Sequence, residues 1–187
     1  MFHQVKTFIS PYIRRKIRLL YHIGVRYFCP LCGYPSKDFA PCGIESSVSK
    51  KYHIIGAGRR NAVCWRCGAN DRERLVFLYL KQIHALFRGD WHGKVLHLAP
   101  EKEIARHILD YKHINYICGD LFADGYNYPK YVRKMNCLCL PFPAETFDLL
   151  ICNHVLEHIE DDHRAMSEFY RVLKRGGKRY CKFPYPM

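Results

Sequence analysis

The sequence predicts an α/β protein: a doubly wound, mostly parallel sheet of about five strands, preceded by a small cysteine-rich module. Two observations predict it. From Asn70 onward, short apolar runs alternate with helical patterns, as when parallel strands are joined by crossover helices. Before Asn70 the chain is short-ranged, rich in Gly and Pro, and carries two Cys-x-x-Cys-Gly turns. A chain of 187 residues, 49% hydrophobic, has room for one such domain and an accessory module. The predicted organisation is a basic segment over residues 1–28, a cysteine module over 29–70, and an α/β domain over 71–187.

Each element has its own signal. Residues 1–28 hold six basic residues and no acidic one, and "YIRRKIRLLYHIGVRYF" fits a basic amphipathic helix. "KKYHIIGAGRRNAV" suggests a short strand or hairpin. Asn70 and Glu73 have capping-box spacing and open a helix through "RERLVFLYLKQIHALF". "KVLHLA" is the first strand of the sheet, followed by a helix from about Pro100 to Asp110, with Pro100 suited to its first turn. "NYICGDL" and "MNCLCLPF" read as the second and third strands, and "FDLLICNH" as the fourth. Asp161 or Asp162 caps a helix through about Lys174, closed by Gly176 and Gly177. "KRYCKF" is the fifth strand.

The two cysteine pairs, Cys29 with Cys32 and Cys64 with Cys67, predict a four-thiolate zinc site. Each Cys-x-x-Cys turn places two sulfurs at neighbouring corners of a tetrahedron, and two turns complete it. Gly33 and Gly68 follow each second Cys, where a missing side chain lets backbone amides approach sulfur. Four protein ligands leave no open position for a catalytic water, so the zinc is structural. Cys42 is a candidate extra ligand. The remaining five cysteines are scattered and read as reduced, small core residues, as in a cytoplasmic protein.

A net charge of +13 favours an anionic partner: nucleic acid, a phosphorylated substrate or an anionic membrane surface. No run of 18 apolar residues is present, and the N-terminus lacks the pattern of a signal peptide. A peripheral membrane contact or an RNA contact of the basic N-terminal segment is consistent with its pattern.

The segments "KVLHLAPE", "NYICGDL" and "NCLCLPFPAETFDLLICNHVLEHIEDDHRAMSEFYRVLKRGGK" together resemble a class I S-adenosylmethionine-dependent methyltransferase. The likeness is to the type 11-like, small-molecule branch, in which "LPF…FD…VLEHI…RVLKPGG" is typical. It covers roughly Val95 to Phe183, and Leu140 to Gly177 is its specific part. The order of cysteine module, linking helix and domain also looks like methyltransferase-type proteins with an N-terminal zinc ribbon. The resemblance implies a Rossmann-like fold, S-adenosylmethionine as cofactor and a small-molecule or sugar-like methyl acceptor.

It also implies a site. Ligands of open parallel sheets bind outside the carboxyl ends of the strands, at the switch point. The loop containing His97, Ala99, Pro100 and Glu101 then faces the cofactor, and helix-start amides suit a carboxylate. Asp120, beside Gly119, is placed to accept from ribose hydroxyls. Asn136 stands where the family often has an acidic residue near the adenine amino group, and Leu138 and Leu140 could flank the base. Asn153 and His154 lie where the methyl is transferred. His154 is the candidate general base and His158 the second, whereas Glu157 and His158 read more simply as structural. "CNHV" does not match the Asn-Pro-Pro-aromatic signature of amino-methylating enzymes.

Two departures stand out. The glycines usual after the first strand are absent from residues 97–103. A full domain of this family has seven strands, and this chain ends after five, so the sheet is expected to be incomplete at its C-terminus. Two alternatives follow: an RNA methyltransferase gripping phosphates with its cysteine module and basic segment, and a truncated or degenerate, non-catalytic protein of the same fold. The sequence leaves the oligomeric state open.

Overall fold

The computed structural model describes residues 10–52 and 58–182, without the side chains of residues 49, 50 and 182. The chain divides into two compact units, Met1–Tyr79 and Leu80–Met187. The expected ends of the chain, residues 1–9 and "FPYPM", lie outside the described residues, as do residues 53–57 of the expected hairpin.

The first unit opens with helix α1 (Pro11–Tyr21), capped by the Ser10 hydroxyl accepting from the Ile13 N–H. Two small antiparallel pairs follow: β1 (Tyr27–Phe28) with β2 (Pro35–Ser36), and β3 (Ala40–Cys42) with β4 (Arg60–Val63). The short helix α2 (Ser47–Lys51) lies between β3 and β4. Helix α3 (Asp71–Gln82) begins at the predicted capping box: the Asn70 carbonyl oxygen Oδ1 accepts from Glu73 N–H at 3.0 Å, and Glu73 Oε2 accepts from Asn70 N–H at 2.9 Å. It ends at Gln82, five residues short of the expected Phe87. The division between the units falls within α3.

Little apolar material holds the first unit together, so polar clamps matter. Arg60 reaches Asp71 with two 3.0 Å bonds. Arg74 donates to the Ala62 and Ala69 carbonyls and lies 4.1 Å over the Phe39 ring. Just past α1, the C-cap residue His22 stacks on Trp65 at 3.8 Å, and both rings donate to Asp38 Oδ1.

The second unit is the predicted sheet. Its strands are β5 (Gly93–Leu98), β6 (Ile114–Asp120), β7 (Val132–Lys134), β8 (Phe147–Asn153) and β9 (Leu173–Lys182). Their order is β7-β6-β5-β8-β9 and every pairing is parallel. The chain therefore winds outward from β5 through α4 (Lys102–Leu109) to β6, then returns past β5 to β8 and through α5 (Asp162–Val172) to β9. The switch point lies between β5 and β8, whose carboxyl ends stand side by side. Parallel strands covered on both faces should be apolar throughout, and Val95 to Leu98 and Leu149 to Cys152 are all buried. One alternate set, Leu96, Leu98, Leu150 and Cys152, clusters with Ala165, Phe169 and Val172 of α5.

Three expected elements are corrected. The third strand is Val132–Lys134, not "MNCLCLPF". There the Asn136 side chain accepts from the Leu138 N–H, closing a turn that a strand cannot contain, and Pro141 and Pro143 lack donors. Helix α4 starts at Lys102, with Glu101 at its N-cap position in extended backbone; Pro100 therefore precedes the helix. Helix α5 ends at Val172, and Gly176 and Gly177 lie inside β9. A Cβ on Gly177 would sit 2.8 Å from the Lys174 carbonyl, so the glycine serves strand packing. Asp161 supplies the predicted cap, accepting from the Arg164 N–H.

Candidate functional site

Two sites emerge, one in each unit. In the first, Cys29, Cys32, Cys64 and Cys67 converge, with all four sulfurs within 4.8 Å of one another. The two turns are near copies. Gly33 N–H donates to the Cys29 carbonyl and Gly68 N–H to the Cys64 carbonyl, each at 2.9 Å. Both glycines are left-handed, at φ +70 and +88, a conformation that would strain any other residue. The Cys29–Cys67 and Cys32–Cys64 sulfurs stand 3.7 and 3.6 Å apart. A disulfide would need about 2.05 Å. A tetrahedron of metal–sulfur bonds near 2.3 Å has edges of about 3.75 Å. Without a cation, burial and the neighbouring sulfurs push the Cys32 thiol up to about 11. A positive ion among the four sulfurs would relieve that opposition to ionisation at Cys32. Cys42 lies outside the cluster, and no disulfide forms among the described residues.

The second site is a cavity of about 590 Å³ at the carboxyl ends of β5, β6 and β8. Of the sequence-predicted residues, Ala99, Gly119, Asp120, Asn136, Leu138 and His154 line it. Met135, Cys137, Val155 and Ile159 add apolar wall that sequence reasoning missed. His158 also lines it. His97, Pro100, Glu101, Leu140 and Asn153 do not.

Local backbone explains the shape. Ala99 and His154, which follow β5 and β8, are left-handed at φ +46 and +55. Such backbone is uncommon outside glycine and turns the chain sharply away from its strand. Ala99 N–H is fixed by the Gly119 carbonyl at 2.8 Å. A Cβ on Gly119 would fall 2.3 Å from the Met135 side chain; the space glycine leaves is filled by that methionine. Asp120 accepts from the Tyr128 hydroxyl at 3.4 Å. His154 Nδ1 lies 3.3 Å from Glu157 Oε1, whereas its Nε2 is buried without a hydrogen-bond partner.

Beside the cavity runs a partly buried polar chain. Tyr116 hydroxyl meets His97 Nδ1 at 2.9 Å, and His97 Nε2 meets Glu101 Oε2 at 2.8 Å. Asn153 Nδ2 donates to Glu101 Oε1 at 2.9 Å. His97 is fully buried. Burial opposes ionisation of Glu101, but the His97 bond, aided by Asn153, outweighs it and holds the carboxyl below its usual range. An ionised Glu101 only accepts, so the shared proton sits on His97 Nε2. Burial keeps Tyr116 protonated well above its ordinary range, so its hydroxyl retains a proton to donate toward His97 Nδ1. The Asn153 Oδ1 is buried and unpartnered. The chain ties Tyr116 of β6 to the carboxyl ends of β5 and β8 behind the cavity wall.

Strand order, switch point and cavity define a doubly wound α/β domain of the Rossmann-like class. Residues 90–181 match the family described as "Methyltransferase domain". Among curated proteins, the demethylmenaquinone methyltransferase of Lactiplantibacillus plantarum is 39% identical over 51 residues, 27% of this chain and 22% of that protein. The ubiquinone/menaquinone biosynthesis C-methyltransferase UbiE of Xanthomonas axonopodis pv. citri is 46% identical over 45 residues, 24% of this chain and 18% of that protein. The matched stretch thus spans about a fifth of the length of these relatives. The solved structure of PH0226 from Pyrococcus horikoshii aligns at 22% identity and a TM-score of 0.44, over 60% of this chain and 58% of that one.

Proposed function

We propose that the second unit binds S-adenosylmethionine in the switch-point cavity and transfers its methyl group to a small-molecule acceptor. The carrying observation is the cavity itself, with Asp120 on one wall and the unpartnered His154 Nε2 on another. Its volume falls within the range of small-molecule sites, roughly 300–1,000 Å³, and its mixed wall suits a nucleoside cofactor. The bound cofactor supplies a methyl on a positively charged sulfur, so alignment accounts for much of the rate.

The chain's residues divide the work. Asp120 accepts from ribose hydroxyls and Gly119 lies beside it. Leu138 flanks the adenine, and Asn136, whose Oδ1 is held by Leu138 N–H, offers its Nδ2 donor. Ala99 and Pro100 shape the turn before α4, whose first amides carry no side-chain cap and suit a carboxylate. Glu101, held by His97 and Asn153 behind the wall, gives that side of the cavity a negative charge that favours the methionine ammonium. His154 Nε2 takes the proton from a hydroxyl acceptor as the methyl moves, with Glu157 orienting the ring through Nδ1.

The four cysteines of the first unit are read as holding one structural zinc ion, supported by their sulfur spacing and paired turns. The domain division 1–28, 29–70 and 71–187 and a cytoplasmic location belong to the same reading.

Calorimetric titration with S-adenosylmethionine and S-adenosylhomocysteine tests it. Micromolar binding is expected, lost at least about tenfold in Asp120→Ala, the scale of a charged hydrogen bond. A folded protein that binds neither compound overturns the reading.

A further inference from the structure

Helix α1 has two faces of opposite use. Arg15, Arg18, Leu19 and His22, at three- and four-residue spacing, share the face turned to the cysteine turns. Arg15 donates to the Arg66 carbonyl, Arg18 lies over Trp65, the Leu19 carbonyl accepts from the Tyr34 hydroxyl, and His22 stacks on Trp65. The opposite face carries Ile13, Ile17 and Leu20, exposed at 49, 54 and 70%. A helix packed by its polar side with its apolar stripe outward inverts the ordinary amphipathic arrangement.

The surroundings of the stripe say what covers it. Arg14 and Lys16 border it on either side, both exposed. Tyr12 and Tyr21, exposed at 64 and 68%, mark its two ends. No acidic residue occurs before Asp38, and Asp38 is already shared by His22 and Trp65. We infer that α1 is an interfacial helix that lays Ile13, Ile17 and Leu20 into the surface of an anionic lipid bilayer. Apolar side chains enter the acyl boundary, flanking cations meet lipid phosphates, and tyrosines sit at the headgroup level. Nucleic acid would satisfy the cations but leave the stripe wet. A second copy of this chain would set Arg14 and Lys16 of each helix against those of the other, with no carboxylate nearby.

The inference does not depend on the activity of the second unit, and vesicle sedimentation of the full chain tests it directly. The chain is expected to pellet with phosphatidylcholine vesicles containing phosphatidylserine, and much less with phosphatidylcholine alone or at high salt. Ile17→Asp should weaken that binding at least about tenfold with an unchanged circular dichroism spectrum. Arg14→Glu with Lys16→Glu should do the same, at about fivefold for each cation removed. Unchanged binding of Ile17→Asp overturns the inference, as does a wild-type chain that ignores anionic vesicles. So does a concentration-dependent dimer abolished by Ile17→Asp while vesicles stay unbound, or RNA binding insensitive to Ile17→Asp in place of lipid binding.

Discussion

Glu168 offers the sharpest test of how the cavity wall is held. It sits in α5 with its side chain 9% exposed. Its Oε2 accepts from the Leu140 N–H at 2.7 Å, and both its oxygens accept from Arg171 at 2.7 Å. Arg171 in turn donates to the Leu140 and Phe142 carbonyls. The pair thus fixes the "LPF" segment that follows the cavity residue Leu138. Arg171 bonding, set against burial and aided by Leu140 N–H, lowers the Glu168 carboxyl from 4.5 to about 2. At about 1.4 kcal/mol per unit, that shift corresponds to at most about 3.4 kcal/mol. The Arg171 side chain is 37% exposed, and solvent screening reduces the figure to about 2 kcal/mol. Glu168→Gln keeps the shape and removes the charge. In urea unfolding followed by circular dichroism at pH 7, it should cost about 2 kcal/mol. Because the folded carboxyl is depressed, its contribution is full above the ordinary value of 4.5 and fades as pH falls toward 2. About two-fifths should remain at pH 3, so the gap between wild type and variant narrows to about 0.8 kcal/mol there. A loss below about 0.5 kcal/mol at pH 7, or a gap that does not change with pH, would refute the reasoning.

Other perturbations follow from the same geometry. Asn70→Ala removes one half of the capping box and should cost the first unit about 1 kcal/mol in chemical unfolding. Stripping metal with a chelator should release one zinc ion per chain, measured by a colorimetric dye, and unfold the cysteine module while the second unit keeps its sheet signal. Glu101→Gln should weaken cofactor binding in calorimetry; with its carboxyl depressed, wild-type Glu101 stabilises the fold above the ordinary carboxylate range and loses that effect as pH falls through its lowered value.

The parts legible in the sequence are those with short-range causes. Two glycine-closed cysteine turns announced a cluster, and Asn70 with Glu73 announced a helix start. Alternating apolar runs announced the parallel strands. What stayed hidden depends on contacts distant in sequence. Nothing local in "MNCLCLPF" says that Asn136 bends the chain into a turn while Val132–Lys134 pairs with β6. The Glu168–Arg171 clamp looks like an ordinary helical ion pair until Leu140 and Phe142 arrive beside it. His97 and Glu101 read as ligand-facing because their loop follows β5, yet their side chains satisfy one another and Asn153. The i, i+4 spacing of His97 and Glu101, with a Tyr on the next strand, was the available signal.

That network also bears on the junction without glycines. The turn after β5 needs a left-handed residue, and Ala99 supplies it at φ +46. For an L-residue that backbone costs roughly 1–2 kcal/mol, against which Ala gains a less flexible unfolded chain than Gly. The second effect offsets part of the first, leaving a net cost of about 1 kcal/mol or less, so an alanine is tolerated where glycine is usual. The strain is held by Ala99 N–H on the Gly119 carbonyl and by Glu101, anchored between His97 and Asn153 two residues on. Ala99→Gly should therefore leave unfolding stability within about 1 kcal/mol of wild type and keep cofactor binding. Ala99→Val should cost more than about 2 kcal/mol, since a β-branched side chain resists left-handed backbone, and it should also narrow the cavity. Thermal unfolding and calorimetry of the two variants separate these effects. If Val were tolerated as well as Gly, the turn would not require left-handed backbone at Ala99, and the missing glycines would need another explanation.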